Sequence, residues 1–485
     1  MATNVQRVAF ALSLVALAAV SYVFFTRQHP YTDAIDFRSF YCAARAVSAD
    51  RSPYLAEPLR TCEETLEKVA HAPPLPVGLA IPAPLPGYAL ALFLPLARLP
   101  YVVANLVFDL LLLGASIFAV ALLARLTGLP LLVIAPSIAL SLTFQSWRFG
   151  QIVPLVLALL VVAAASLERA RYTLAAAALG VAMIEPHVAS PAVLSALIVV
   201  PRMRLRVSIA LALLAAVSLG TLGLDQNVLY LRDVLPAHAA AELGMNGYQF
   251  SLTNLLHQLG VADHAALALG ELSYIVMLVA GITISSSLAR QTGRPALLLL
   301  GPSALALVGG PFLHLVQIVC ALPFALLLLA LFPRNRVILL ATLLLAAPWL
   351  EFIRNSDPPS VALCVALCIL PIAWYALHER PLQVAVVTLA LVALGAGIAG
   401  FAYTIHLSKI DATAALARVK DGRLLAEVSW STYVRTVLSR DPPSYLLEKL
   451  PTWIGLCALL IGAAAQATAP WKEDAAPHEP SVALG

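Results

Sequence analysis

Long stretches of this chain are apolar at every position, not at every second or every third and fourth, and short polar links divide them. The runs occupy 8–25, 102–124, 131–144, 152–167, 173–184, 188–200, 207–222, 265–288, 295–308, 315–332, 337–350, 360–377, 383–404 and 453–467. A helix that is apolar all round lies in a protein core or in lipid, and about 20 such residues cross the hydrocarbon layer. The pattern predicts an all-α fold: a polytopic transmembrane helical bundle of about 12–14 spans. Runs well short of 20 residues are expected to be tilted, broken or re-entrant. The first run follows Arg7 and continues through Val23-Phe24-Phe25 without a small-x-small cleavage site. It reads as a retained signal anchor with its N-terminus inside.

The links carry the orientation. Arg125, Arg169 and Arg171, then Arg202, Arg204 and Arg206, Arg290 and Arg294, Arg334 and Arg336, and Arg380 all fall in alternate links. Counted from an inside N-terminus, every one of them is cytoplasmic, as the positive-inside rule requires. The longer polar segments, 26–86, 223–264, 354–359 and 405–450, fall on the opposite side, so the chemistry is expected at the outer face. The first outer loop, 26–101 in full, is read as a helix at 37–50 capped by Asp36, a helix at 57–69, a Pro-rich stretch at 73–86 and an interfacial helix at 88–99. Segment 405–450 is read as a small helical cap, and the polar tail 471–485 as disordered and cytoplasmic. The organisation is thus a module at 1–336, a C-terminal membrane segment at 337–470 bearing the cap, and the tail.

Composition narrows the class without changing it. Of 485 residues, 61% are hydrophobic and 12% charged, with a net charge of +4; the mean hydropathy is +0.89. That is too little polar surface to clothe a water-soluble body. No basic stripe interleaved with aromatics is present, which argues against nucleic acid as a partner. Cys320, Cys364, Cys368 and Cys457 lie in apolar runs, where cysteine behaves as a small hydrophobe. Cys42 and Cys62 lie in the first outer loop, where a disulfide can persist; spacing alone leaves the pairing open.

Candidate chemistry clusters in the outer links. Asp33 and Asp36 follow the first run: a carboxylate at a membrane border can act as general base, or Asp36 simply caps the next helix while Asp33 is solvated. His314 sits in Gly309-Gly310-Pro311-Phe312-Leu313-His314. An ionisable group at such a turn is either functional or bonded to a carbonyl freed by Pro311. Glu185-Pro186-His187 poses the same choice. Arg148 and Gln151 are suited to an anionic headgroup or to anchoring an interfacial turn. Gln249 and Ser251 are suited to sugar hydroxyls, with Ser251 as a plain helix cap the alternative. No Walker loop, dinucleotide fingerprint or G-x-S-x-G is present in the chain.

Taken in order, these pieces resemble a known family. Ile35-Asp36-Phe37-Arg38-Ser39-Phe40-Tyr41-Cys42-Ala43-Ala44-Arg45-Ala46 with Ser52-Pro53-Tyr54 is similar to the opening motif of glycosyltransferase family 87. The family comprises GT-C-type, polyprenyl-phosphate-dependent transferases, including mycobacterial mannosyltransferases of phosphatidylinositol mannoside synthesis. Phe93-Leu94-Pro95-Leu96-Ala97-Arg98-Leu99-Pro100, Gly150-Gln151, Glu185-Pro186, Tyr248 to Leu252 and Gly310 to His314 follow in the family's order, over roughly 7–336. The resemblance implies a GT-C fold in which Asp36 is the general base and the donor is a polyprenyl-phosphate hexose or pentose, with mannose favoured. His314, Arg148, Gln151 and Arg354 would meet the donor phosphate. Asp33, Tyr41, Glu185, His187, Gln249 and Ser251 would contact acceptor or sugar. Transfer would invert the anomeric centre, at the outer face of a bacterial cytoplasmic membrane. No cofactor or metal is implied, and the expected partners are the lipid-linked donor, a lipid or glycan acceptor and membrane lipids, with no obligate protein partner. The chain departs from the family in having Glu185 where a Lys is common, and a single His with Phe312 at the last motif. The part after Arg336 lies outside the resemblance and is expected to select the acceptor.

Two other readings stand beside this one. A transporter or flippase of a lipid-linked substrate would show an inverted repeat and a polar site at mid-membrane; no repeat is evident and the polar residues gather at one face. A non-catalytic membrane scaffold would keep the fold but be indifferent to replacement of Asp36.

Overall fold

The computed structural model describes residues 34–70, 72, 74–147, 149–350, 358–404, 411–439 and 444–469. The predicted anchor at 8–25, the tail 471–485, and Asp33, Arg148 and Arg354 lie outside them. Among the described residues the secondary structure is helical, with two isolated β-bridges. Six helices among the described residues are long and apolar enough to cross a membrane: Tyr101–Thr127, Pro201–Glu242, Asp263–Thr292, Pro358–Leu377, Pro381–Ala402 and Tyr445–Thr468. Eight further apolar helices are shorter, among them Val153–Glu168, Pro186–Val199 and Leu297–Ala306. The long helices leave Leu106, Leu213, Ile275 and Leu389 exposed, a surface that suits lipid and not water. The short ones are packed inside: Leu322–Leu331 and Leu297–Ala306 are buried along most of their length.

Helix ends sort into two sets. Val153–Glu168 begins beside Gln151 and ends at Arg169; Pro186–Val199 begins beside Glu185 and ends near Arg202; Leu322–Leu331 follows His314 and precedes Arg334. Each helix therefore has an Arg-bearing end and an end carrying candidate chemistry. Three Arg-side turns meet directly, where Arg294 bonds Glu168 at 2.9 Å and the Leu126 carbonyl at 2.6 Å.

Two helices differ from their predicted courses. The 207–222 run does not stop where the outer loop begins; it continues as Arg204–Leu229 through a non-helical Gly223 (φ 71°, ψ 176°). That conformation is open to glycine and costly for other residues. Asn227 closes the bend by donating to the Gly223 and Ser218 carbonyls at 2.6 and 3.0 Å. The helix predicted from Phe37 begins at Ile35 and runs to Ser48, with Ala34 at the cap position. Asp36 thus lies inside the first turn and is not the cap, which frees its carboxylate for another partner.

The first outer loop packs through the Ile35–Ser48 and Ala56–Ala70 helices, joined by the Cys42–Cys62 disulfide. Arg38 reinforces them, donating to Glu67 at 2.8 Å and to the Glu63 carbonyl at 2.7 Å. Burial pushes the Glu63 carboxyl up to about 8, against the pull of Arg38. Within the predicted cap, residues 411–439 hold the helices Thr413–Leu416 and Ala426–Tyr433 and are stitched to this loop. Ala56 N–H donates to the Leu424 carbonyl at 2.8 Å, Ala426 N–H to Tyr54 at 2.9 Å and Glu57 N–H to Gly422 at 3.1 Å. Ser429 Oγ bonds both backbone groups of Ala80.

Candidate active site

Asp36 is placed by a turn. Trp147 to Gln151 reverses the chain after the Leu142–Trp147 π-helix, and Gly150 adopts φ +70°. The Asp36 N–H donates to the Phe149 carbonyl at 2.9 Å, and the Gln151 side-chain amide donates to Asp36 Oδ2. A Cβ on Gly150 would stand 2.6 Å from the Phe37 Cβ, so glycine permits the close approach of this turn to the helix. Phe37 is fixed in turn by its ring stack on Phe108, centroids 4.7 Å apart.

A second construction brings His314 in. The Tyr248 to Phe250 and Leu313 to Leu315 segments pair as an antiparallel bridge between Gln249 and His314. Phe250 N–H donates to the Leu313 carbonyl at 2.7 Å and Leu315 N–H to the Tyr248 carbonyl at 2.9 Å. His314 is not satisfied by a carbonyl freed at Pro311: its Nε2 meets Glu242 Oε2 at 2.9 Å. Gln317 accepts from the His314 N–H at 2.8 Å and donates to Glu185 Oε1 at 2.8 Å. That glutamine ties two predicted motifs together. His187 Nε2 lies 3.3 Å from the same Glu185 oxygen.

These groups open on one cavity of about 350 Å³. Asp36, Gln151, Glu185, His187, Gln249 and His314, all singled out from the sequence, line it together. Its wall also holds His238, Glu242, Gln317 and Trp430, which sequence reasoning missed. His238 and Glu242 stand four residues apart on one helical face, the one sequence signal they offered. Two of the residues singled out from the sequence do not line the cavity. Tyr41 is not on the cavity wall; it is buried, and its hydroxyl donates to the Leu99 carbonyl at 2.8 Å. Ser251 is also off the wall and caps Leu252–Gln258, accepting from the Asn254 N–H at 3.2 Å. The Cys42–Cys62 pair is bonded.

The electrostatics separate the two central groups. Asp36 keeps an open side toward the cavity but is otherwise walled in, and burial raises its carboxyl to about 7, against the pull of His314 and Gln151. Burial pulls His314 down, yet Glu242, aided by Asp36 and Glu185, outweighs it and leaves the imidazole above its ordinary range. The cavity therefore pairs a carboxyl that exchanges its proton near neutrality with a histidine that favours the cationic form. Among the described residues, no group of three or more His, Cys, Asp or Glu side chains is placed to hold a metal ion.

The fold and this cavity define a multi-pass membrane protein with a carboxylate and imidazole site at the helix ends opposite the turns that carry Arg169, Arg202 and Arg334. Residues 86–309 match the family model of glycosyltransferase family 87. This match supports the family assignment that the ordered motifs suggested, and with it a membrane glycosyltransferase. No curated protein and no solved structure matches the chain.

Proposed function

We propose that the cavity transfers a hexose or pentose, mannose by preference, from a polyprenyl-phosphate donor to a lipid or glycan hydroxyl. The supporting observation is a buried carboxyl, Asp36, open to the same cavity as a histidine held by a carboxylate. Asp36 takes the acceptor's proton as its oxygen attacks the anomeric carbon. The bond from that carbon to the phosphate oxygen breaks on the opposite face, so the configuration inverts and the polyprenyl phosphate departs with the electron pair. His314 faces the charge that develops on the phosphate, a preorganised donor of the kind that lowers such barriers. A base that titrates near the working pH suits its task. Gln151 holds the Asp36 carboxylate, and Gln317 and Glu185 fix the wall between the two groups. Arg148 and Arg354 are proposed as further phosphate contacts and Asp33 as an acceptor contact, on the family resemblance alone. We place the reaction at the outer face of a bacterial cytoplasmic membrane, because the arginine-bearing turns mark the opposite end of the bundle as cytoplasmic.

The test is sugar transfer by purified protein in lipid nanodiscs, with a panel of radiolabelled polyprenyl-phosphate sugars and membrane-lipid acceptors. One donor is expected to be used, and Asp36→Asn to reduce turnover by about 10²–10⁴-fold. Transfer that survives Asp36→Asn removes Asp36 as base. No transfer across the panel sinks the transferase reading in favour of a carrier or scaffold.

A further inference from the structure

Glu242 has no part in the reaction as written, yet four side chains converge on it. Oε2 accepts from Gln249 Nε2 at 2.8 Å and meets His314 Nε2 at 2.9 Å; Oε1 accepts from Trp430 Nε1 at 3.1 Å and lies 3.9 Å from His238 Nε2. The carboxylate is 4% exposed, so its charge faces little solvent screening. Gln249 is itself fixed, because its Oε1 accepts from the Leu313 N–H at 3.0 Å. Trp430 comes from the C-terminal cap, 188 residues further along the chain. The cap helix that bears it is held to Ala80 by Ser429.

We propose that Glu242 is the positioning residue that keeps His314 cationic and aimed into the cavity for the donor phosphate, and that Trp430 of the cap holds Glu242 to that task. The assignment rests on the transferase reading for the identity of the ligand, a prenyl-linked phosphate. Both Glu242 oxygens are already engaged by protein side chains, so it orients a neighbour instead of reaching for substrate. A carboxylate bonded to the remote nitrogen of an imidazole fixes both its orientation and its protonation. The other titratable groups that line the cavity with His314 and Glu242 are Asp36, Glu185, His187 and His238, with Tyr230, Tyr248 and Tyr433. Of these, Tyr230 and His238 share the continuous Pro201–Glu242 helix with Glu242.

The test is binding of geranyl phosphate to the full chain in phosphatidylcholine nanodiscs. All variants carry Asp36→Asn, so protonation of Asp36 makes no contribution. At about pH 7.5, Glu242→Gln is expected to bind about tenfold more weakly than the parent. At about pH 5.5 added protons make up part of what Glu242 does against the burial that pulls this imidazole down, so the gap should narrow. His314→Asn should bind weakly at both values, and Trp430→Phe, which keeps a ring but loses the donor, should move as Glu242→Gln does, by less. Equal weakening of Glu242→Gln at both pH values, with His314 titrating at the same pH in parent and variant by 15N NMR, would mean a packing role and overturn the proposal. So would parental binding by Glu242→Gln, or a parent that binds no better than His314→Asn. Parental binding by Trp430→Phe at both values removes the cap from it. The readout needs no turnover: this pattern without sugar transfer sinks the transferase reading alone, and Asp36-dependent transfer without this pattern sinks the Glu242 assignment alone.

Discussion

Replacing Gly150 with Ala should disable the site by moving Asp36. The backbone there is at φ +70°, where a residue with a Cβ loses about 1–2 kcal/mol. The new methyl would stand 2.6 Å from Phe37 Cβ, 3.1 Å from Phe37 N and 3.2 Å from Ala34 Cβ. Reaching ordinary contact at 3.4 Å requires the turn and the helix to part by about 0.8 Å. Phe37 cannot give way by itself, since it is fully buried among Tyr41, Phe93, Tyr101 and Phe108. The displacement falls on the Asp36 N–H bond to Phe149 and on the Gln151 contact, which together aim the carboxylate. A shift near 1 Å in a reacting group costs about 10²-fold in rate, so turnover should fall about 10–100-fold while acceptor KM changes little. The assay is transfer from the donor identified by the panel, with thermal unfolding in nanodiscs run alongside. Unfolding should shift by an amount equivalent to about 1–3 kcal/mol. Parental turnover in Gly150→Ala would refute the claim that this turn sets the position of Asp36.

Two further outcomes follow from the same geometry. Because Asp36 must be ionised to accept a proton and burial places its carboxyl at about 7, kcat/KM should fall about tenfold per pH unit below that value. The alkaline fall should set in above the ordinary histidine range, since His314 is held above it. A profile flat from about pH 5 to 8 would contradict the assignment of the base. Reducing the Cys42–Cys62 bridge, or replacing both cysteines with Ser, frees a loop of sequence separation 20. It should cost about 3 kcal/mol of stability in the chain-entropy account, seen as faster thermal inactivation; an unchanged inactivation rate would show that Arg38 and the packing of the two helices suffice.

How much of this was legible depended on whether a residue's role is local. The apolar runs gave the helices, because a membrane span is specified by its own composition. The arginine-bearing short links, alternating along the chain, put Asp36, Gln151, Glu185, Gln249 and His314 at the opposite end, and in the structure they line one cavity. Roles that depend on helix phase or remote contacts were not legible. Tyr41 lies five residues after Asp36, so helical rotation carries it to another face, where the Leu99 carbonyl takes its hydroxyl. From spacing alone Asp36 read more readily as a cap, and only the turn at Gly150 shows that its carboxylate has another partner. Glu242 and Trp430 carried no motif; their meaning lies in a contact across 188 residues, which no local pattern encodes.

The stitching of the cap to the first loop also sets an order of events during synthesis. Tyr54, Ala56 and Glu57 leave the ribosome hundreds of residues before the Gly422, Leu424 and Ala426 backbones that they bond. Until those arrive, the cavity lacks its Trp430 wall, and Glu242 lacks one of its donors. A half-made chain would therefore expose the acids and imidazoles of the site without the full set of contacts that arranges them. The arrangement of the site is complete only when the cap has been made.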